Sequence, residues 1–506
     1  MSTKCMQHHN YKDKAIVIGG GIAGLVVARV LSNHFSNVDV LEKDTYPKEK
    51  GPRNGTPQAN HLHVFLMKGI KIITELFPNI EGKLLSQGAH KINLISDTKY
   101  KLPTGWTPIF DSDMNTILCS RQLLEYNIRK EITENYPNIQ ILENTRVTGL
   151  VSSNGEKRKI IGVEAVLDGN KNKILESDLV VDASGRISKT PDWLERLGFE
   201  RPRATQVNSF IGYATRLIQI PHLGQSLSLA SPSIADSKFI AILTNPPYNP
   251  RMAVMISIEN DLWQLGLLGI GKNYPPTDEQ GFLNFIYDLG EKEFYTTVRN
   301  AIPVSNIYGY RENGSRRYHY EKIRKFPENF IVLGDAVCAF NPIYAQGITV
   351  AALQSKVLDR MLKKQKRNEI LKAGFEKKFQ KQIAKVNSIP WLLGTGEDLQ
   401  WSTTIQVRMK DGKESMQKMS WFNRQIQKYS NKIILLAPNS IIATKAFLEV
   451  MNMIKSPMTL FNPLLFMMVL KETISSKFNI KRASLLERQQ KSYFHCTAND
   501  NKGNAC

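Results

Sequence analysis

The sequence predicts an α/β protein, on three observations. A short β-branched run, Ala15–Ile18, leads into Gly19-Gly20-Gly21-Ile22-Ala23-Gly24 and then into an apolar helical stretch, Leu25–Leu31. A second apolar strand, Val38–Leu41, ends in Glu42 and Lys43. Far downstream, Phe330–Leu333 reads as another buried strand that stops at Gly334-Asp335. Strand, glycine turn, helix, strand and acid make the first half of a Rossmann-type dinucleotide unit. From Asn138 to Asp182 the pattern changes to short strands, Ile139–Leu142, Val147–Val151, Ile160–Val166 and Ile174–Val181, with turn chemistry at Asn154-Gly155 and Asp168-Gly169. That is a β-meander. The expected architecture is a Rossmann-type domain with a β-meander, an inserted mixed-sheet domain and a C-terminal helical region.

The elements follow in order. Tyr46–Asn60 is polar and rich in Pro and Gly, hence a loop. Arg121–Thr133 is a helix with Leu123, Leu124 and Ile128 on one side, preceded by strand-like Thr116–Cys119. Residues 207–325 are mixed strands with one helix, Asp278–Leu289, and a long helix starts at Gly347–Thr349 and runs through Leu362. The densest charge run, Lys356–Lys385, carries eleven basic and three acidic residues and reads as a solvated helix face. Ile433–Leu470 is apolar and Met-rich, broken by Pro438, Pro457 and Pro463; Phe447, Val450, Met451 and Ile454 share one helical face. The tail after Lys471 is polar.

Composition bounds the function. With 42% hydrophobic and 22% charged residues over 506 positions, the chain is long enough for large cores and is neither disordered nor collagenous. A net charge of +21 favours anionic partners. A nucleic-acid binder is nevertheless disfavoured, since no recognition motif or basic-aromatic stripe is present. Five scattered cysteines without a CxxC (Cys5, Cys119, Cys338, Cys496, Cys506) point to reduced thiols rather than a disulfide framework. The polar Met1–Lys14 stretch has no signal-peptide layout, and no run of about 20 apolar residues marks a membrane span. The expected location is cytoplasmic. There is no Gly-x-Ser-x-Gly, P-loop or His-Glu-x-x-His.

In the turn, Gly19 permits the tight bend, Gly21 lets backbone approach a diphosphate, and Gly24 lets helix and strand pack closely. The N–H groups of Ile22, Ala23 and Gly24 and the positive end of the helix dipole face the phosphates. Glu42, 18 residues past Gly24, accepts hydrogen bonds from ribose hydroxyls and disfavours a 2′-phosphate. The ligand is therefore FAD or NAD, and this turn alone does not choose between them.

The later segment supplies a resemblance. Phe330–Ala336 followed by Phe340-Asn341-Pro342-Ile343-Tyr344-Ala345-Gln346-Gly347 resembles the second FAD signature of the group A flavoprotein monooxygenases. The resemblance implies that Asp335, after Gly334, hydrogen-bonds the ribityl chain. It also implies that the Pro342 loop starts a helix at Gly347 and Ile348 whose N-terminus faces the flavin N1/O2 locus, where it stabilises negative charge. Arg121 resembles the family's arginine near the FAD ribose and diphosphate, Val147 its adenine-contacting strand, and Leu179–Arg186, with Asp182, its Asp-Gly segment; here Ala-Ser separates Asp182 from Gly185. Ala345 stands where glycine is commoner. Arg53-Asn54-Gly55-Thr56-Pro57-Gln58-Ala59-Asn60-His61-Leu62-His63, with Pro191-Asp192-Trp193-Leu194, looks like the branch of bacterial polyether-type flavin epoxidases, with squalene epoxidase a more distant relative. The likeness covers about residues 13–350. On it, Arg53 is expected beside FAD phosphate or flavin. His61 and His63 share one face of an extended segment, near the flavin ring or in a structural role; with no further ligands nearby, a metal is not expected.

What the resemblance implies is an FAD-dependent monooxygenase. NAD(P)H is the electron donor, O2 adds at flavin C4a, and the hydroperoxide epoxidises or hydroxylates an apolar polyketide, terpenoid or aromatic substrate. Neither reaction requires a protein nucleophile, so no catalytic residue is named. Residues 13–85, 121–195 and 326–365 would form the FAD-binding domain and 86–120 and 196–325 the substrate domain. A helical region, 366–480, and a flexible tail, 481–506, complete the chain. Phe210, Tyr213, Trp263, Tyr318 and Tyr320 are candidates for an apolar substrate wall, and the C-terminal helices for peripheral membrane contact. The alternatives are a flavin halogenase, whose Trp-x-Trp-x-Ile-Pro is absent, a prenyl-lipid reductase, and a non-catalytic FAD-binding protein.

Overall fold

The computed structural model describes residues 14–51, 53, 60–153, 159–169, 171–221, 237–312, 314–365, 371–410, 413–416 and 419–475. Five parallel strands make the first sheet, in the spatial order Phe330–Val332, Leu179–Asp182, Lys14–Ile18, Asn37–Leu41 and Ile139–Leu142. Parallel strands are covered on both faces and so read as continuous apolar runs. Ala15, Ile16, Val17, Val180, Val181, Ile331 and Val332 are fully buried, each worth roughly 2 kcal/mol for the larger side chains. The helix Ile22–Leu31 packs against the helices Arg121–Asn135 and Gly347–Lys363.

The meander is antiparallel, Thr145–Ser152, Ile160–Leu167 and Lys171–Glu176. Asp168 and Gly169, both at positive φ, turn the second hairpin; the Asn154-Gly155 turn lies outside the described residues. The single strand expected over Ile174–Val181 is two strands in two sheets. The chain changes sheets at Ser177-Asp178, where Asp178 N–H donates to Lys14 O at 2.9 Å and its carboxylate accepts from Lys14 N at 3.0 Å. Alternation of apolar residues carries no mark of that crossing.

An eight-stranded sheet follows, built on the antiparallel set Ile211–Gln219, Leu262–Gly269, Arg251–Ile258 and Phe239–Ile242, with Thr98–Leu102 parallel at its far side. Trp263, Leu265 and Leu267 pack on the helices Glu279–Tyr287 and Lys292–Arg299. Asp278 caps the first of these through Gly281 N–H. The opposite face carries Tyr213 and Thr215 and turns toward the segment His61–Val64.

A third sheet joins Cys338–Ala339, Ser315–Tyr318, Ala204–Asn208, Ile405–Lys410 and Lys413–Met416. The region expected to be helical therefore also contributes a β-hairpin. The helices Phe375–Asp398, Trp421–Leu436 and Ile441–Met451 surround it in sequence. Among the described residues, no helix is long and apolar enough to cross a membrane.

Candidate functional site

The two glycine-bearing stretches meet at the carboxyl ends of the parallel strands. Gly19 has φ +98°, and its N–H donates to Leu41 O at 2.8 Å. A Cβ there would press on Ala183 O at 2.9 Å, and one on Gly24 would overlap Gly19 O. Both positions exclude side chains because backbone meets backbone. Gly21 differs: among the described residues a Cβ would find only Arg53 Nη2, at 3.9 Å, which leaves its outer face open to them. The helix it introduces, like the one at Gly347, has no side-chain cap, whereas Ser120, Asp278, Ser420 and Ser440 each cap theirs. The N–H groups of Ile22, Ala23 and Gly24, and those of Gly347 and Ile348, thus stand at uncapped helix starts.

Glu42 is buried beneath the turn. Its Oε2 accepts from Gly20 N–H at 2.8 Å and faces Arg53 Nη1 at 3.0 Å, and its Oε1 accepts from Asp44 N–H at 3.1 Å. A carboxylate has about four acceptor sites; three are used here, which leaves one for a ribose hydroxyl. Lys43, beside it, is exposed. Arg53 is nearly buried, held by Glu42, by Asp44 Oδ2 at 3.2 Å and by Glu125 Oε1 at 2.9 Å. Burial alone would lower its pKa, but the Glu125 and Glu42 carboxylates raise it. Its guanidinium lies 4.8 Å from the ring centre of Tyr46, whose hydroxyl donates to Gly20 O at 2.5 Å. Tyr46, Arg53, Arg121, Glu125 and Arg129 line a shallow cleft.

Asp335 faces this turn from the other side. Gly334 has φ +65°, and a Cβ on it would lie 3.4 Å from Ala23 Cβ. Gly334 N–H donates to buried Gln354 Oε1 at 2.6 Å. A Cβ on Gly347 would lie 3.4 Å from Asp335 Oδ1, so the carboxylate rests against the start of the long helix. Burial raises the Asp335 pKa, while Arg186, Arg121 and Arg316 draw it back. Between Asp335 and that helix the Pro342–Tyr344 turn ends on Ala345, whose φ of +54° is the left-handed conformation that favours glycine. Pro342 itself is exposed and Ile348 half-buried.

Other expected residues sit elsewhere. Asp182 is wholly buried, and its carboxylate accepts from Ser184 N–H and Oγ, Ser188 Oγ and Thr190 Oγ1 at 2.5–2.9 Å. It organises its own loop, which explains why Ser188 and Thr190 matter there. Val147 is half-buried at a bulge in the meander and packs on the core.

His61 and His63 take separate neighbours. His63 Nδ1–H donates to His61 O at 2.8 Å, which leaves Nε2 to accept from Arg121 Nη1 at 3.3 Å. His61 Nδ1 meets Thr215 Oγ1 at 3.2 Å, with the Tyr213 ring edge-on at 4.7 Å and the Tyr310 ring at 5.7 Å. Burial pushes His61 down to about 4; burial and then Arg121 push His63 to about 3. Both are neutral at pH 7. This segment joins the Arg121 side of the cleft to the large sheet. Of the aromatic candidates, Tyr213 lies on this face, Trp263 lies on the helix-covered face, and Tyr320 is buried against Phe326 and Phe330. Among the described residues no group of three or more His, Cys, Asp or Glu is placed to hold a metal. Cys119 and Cys338 are buried free thiols, pushed up by burial.

Tyr46, Asp44, Glu125 and Gln354 escape a reading of the sequence. Only Glu125 carries a signal, four residues past Arg121 on one helix face, where it pairs at 3.6 Å.

This is the fold of FAD-binding monooxygenases and halogenases. Matched solved structures include the flavin-dependent brominase Bmp2, 16% identical over 88% of this chain and 98% of that one, TM-score 0.56. PqsL from Pseudomonas aeruginosa, a probable FAD-dependent monooxygenase, is 16% identical over 76% and 95%, TM-score 0.54. The flavin-dependent halogenase CmlS is 15% identical over 89% and 77%, TM-score 0.55. In sequence the chain is 28% identical to Protein Rv3254 of Mycobacterium tuberculosis (strain ATCC 25618 / H37Rv), over 77% of this chain and 81% of that protein. No family model matches the chain.

Proposed function

We propose that the protein is an FAD-dependent monooxygenase that takes electrons from NAD(P)H and transfers one oxygen atom of O2 to an apolar substrate, by epoxidation or hydroxylation. The observation that carries the reading is the meeting of Gly334-Asp335 with Ala23 and of Asp335 with Gly347, at two uncapped helix starts.

The residues fit FAD. The open face of Gly21 and the N–H groups of Ile22 to Gly24 seat a diphosphate. Glu42 keeps an acceptor site for the adenosine ribose, and Arg53 and Arg121 supply positive charge beside it. Arg121 Nε is buried without a hydrogen-bond partner, a donor in want of an acceptor. Asp335, whose carboxylate has no donor within hydrogen-bond distance among the described residues, suits the ribityl hydroxyls. The uncapped start of the helix at Gly347 would favour negative charge on a flavin held there. FAD, when bound, supplies the redox chemistry and the reaction with O2. The chain's own part is to orient substrate against the Tyr213 face of the large sheet and to exclude water there. Neutral His61 offers a hydrogen bond at that face.

Purified protein is expected to be yellow, or to become so on adding FAD. NADH or NADPH should bleach it anaerobically, and product formed under ¹⁸O2 should carry one label. Asp335→Asn should weaken FAD binding while leaving the apo-protein as stable or more so, because a buried carboxylate is relieved. Protein that stays colourless with added FAD refutes the reading. Bleaching without label incorporation assigns a reductase. Dependence on bromide or chloride and on a separate flavin reductase assigns a halogenase, and no bleaching by any donor a non-catalytic FAD-binding protein.

A further inference from the structure

The last described helix, 463–475, carries apolar residues on its buried side and on its exposed side alike. Leu465 and Val469 are buried against Ile433, Ala443 and Val450. On the solvent side, Leu464, Phe466, Met467, Leu470 and Ile474 are all exposed, Met467 at 59%. At 100° per residue, Phe466, Met467, Leu470 and Ile474 fall within one third of the circumference. Met458, in the preceding turn, is 72% exposed as well. A soluble face would carry charge here; this one has Lys471 at one margin, while Glu472 falls on the opposite side of the helix. Its geometry is fixed. Tyr429 stacks on Phe461 at 4.5 Å and donates to Leu460 O at 2.8 Å, and Lys432 Nζ donates to Thr473 Oγ1 at 2.5 Å. The stripe is therefore a built surface and not a frayed end.

Charge names the occupant. The supporting helix Trp421–Leu436 holds Arg424, Lys428 and Lys432 and no acidic residue. The sequence beyond Ser475 holds Lys477, Lys481, Arg482, Arg488, Lys491 and Lys502 against Glu487 and Asp500. An exposed apolar stripe with Lys471 at one edge and Lys432, bonded to Thr473, at the other matches an anionic lipid surface: the apolar residues enter the acyl boundary and the cations meet the headgroups. We infer that this stripe docks the protein on an anionic bilayer surface, with the helix lying in the interface plane. The inference is independent of the flavin reading.

The test is co-sedimentation of the full chain with vesicles of phosphatidylglycerol and phosphatidylcholine, and of phosphatidylcholine alone. Wild type should bind the anionic vesicles, and added salt should weaken the binding. The double variant Met467→Glu/Leu470→Glu should lose it by at least about tenfold, with circular dichroism and melting temperature unchanged, since both positions are exposed. Met467→Glu/Ile474→Glu, on the same stripe, should repeat the loss. No binding by wild type, or equal binding by both double variants, overturns the inference. So does a doubled mass in solution that the variants halve, which gives the stripe to a second copy. Binding that appears only after removal of residues 476–506 gives it to the chain's own tail and overturns it too.

Discussion

Gly21→Ala separates cofactor binding from folding. The backbone at Gly21 (φ −72°, ψ 177°) is ordinary extended chain, and among the described residues a Cβ there meets nothing closer than Arg53 Nη2 at 3.9 Å. Alanine is a poorer N-cap than glycine but loses less chain entropy on folding, so the net change in stability should stay within about 1 kcal/mol. The methyl group, however, stands on the face that a diphosphate must approach. Losing one or two hydrogen bonds to a charged group, at about 1.5–3 kcal/mol each, weakens FAD binding by roughly 10- to 10⁴-fold. Gly24→Ala is the contrasting control. Its Cβ overlaps Gly19 O, so overpacking should cost about 1–3 kcal/mol or more and lower the melting temperature by several degrees. The assay is titration of apo-protein with FAD by quenching of flavin fluorescence, run beside thermal melts. If folded Gly21→Ala binds FAD within a factor of about three of wild type, the turn is not the diphosphate seat.

Three further predictions follow from the same geometry. Arg53→Ala strands the carboxylates of Glu42, Asp44 and Glu125 together, and should cost about 3–5 kcal/mol in urea unfolding; adding Glu125→Gln should restore part of it, and full stability in the single variant would refute the triple pairing. His61 and His63 have folded pKa values of about 4 and 3 against an unfolded value of about 6.5. Their stabilisation is complete above pH 6.5 and is lost as pH falls toward 4 and then 3. Glu397 and Asp398, raised to about 7 by burial, work in the opposite sense, favouring the fold at low pH and losing that contribution as pH rises through 7. The melting temperature of His63→Gln, relative to wild type, should therefore rise as pH falls from 6.5 to 4, and parallel curves would show that His63 is not buried neutral. Ala345→Gly should raise stability by about 1 kcal/mol by relieving a left-handed alanine; a lower melting temperature would count against that conformation.

The parallel core was legible because both faces of those strands are buried, so Ala15–Ile18 and Phe330–Leu333 show as unbroken apolar runs and Val38–Leu41 as one interrupted only by Asp39, which pairs with Lys14 at 2.6 Å. The glycine turn was legible because Gly19 and Gly24 sit where backbone touches backbone, a demand that only one residue type meets. In the hairpin of Ile405–Lys410 and Lys413–Met416, Ile405, Val407 and Met409 alternate with polar residues ahead of Asp411-Gly412, a turn signal that the expectation of a helical region passed over; its pairing with Ala204–Asn208, far upstream, was not legible. Nor was the holding of Arg53, since Glu125 lies on a helix far along the chain. Asp182 shows the reverse: an acid at the end of a parallel strand has the look of a ligand group, and its four donors come from the next eight residues.

Among the described residues the strand Phe330–Val332 pairs only with Leu179–Asp182, across the whole intervening sheet domain. A ribosome making this chain therefore releases the first glycine loop long before the wall that faces it exists. During that interval the Leu179–Asp182 edge is bare, and non-local pairing of this kind is slow and exposed to misassociation. On the proposed function, capture of the dinucleotide is in consequence an act of the finished polypeptide, so that until then a chaperone, and not the cofactor, must guard the open edge.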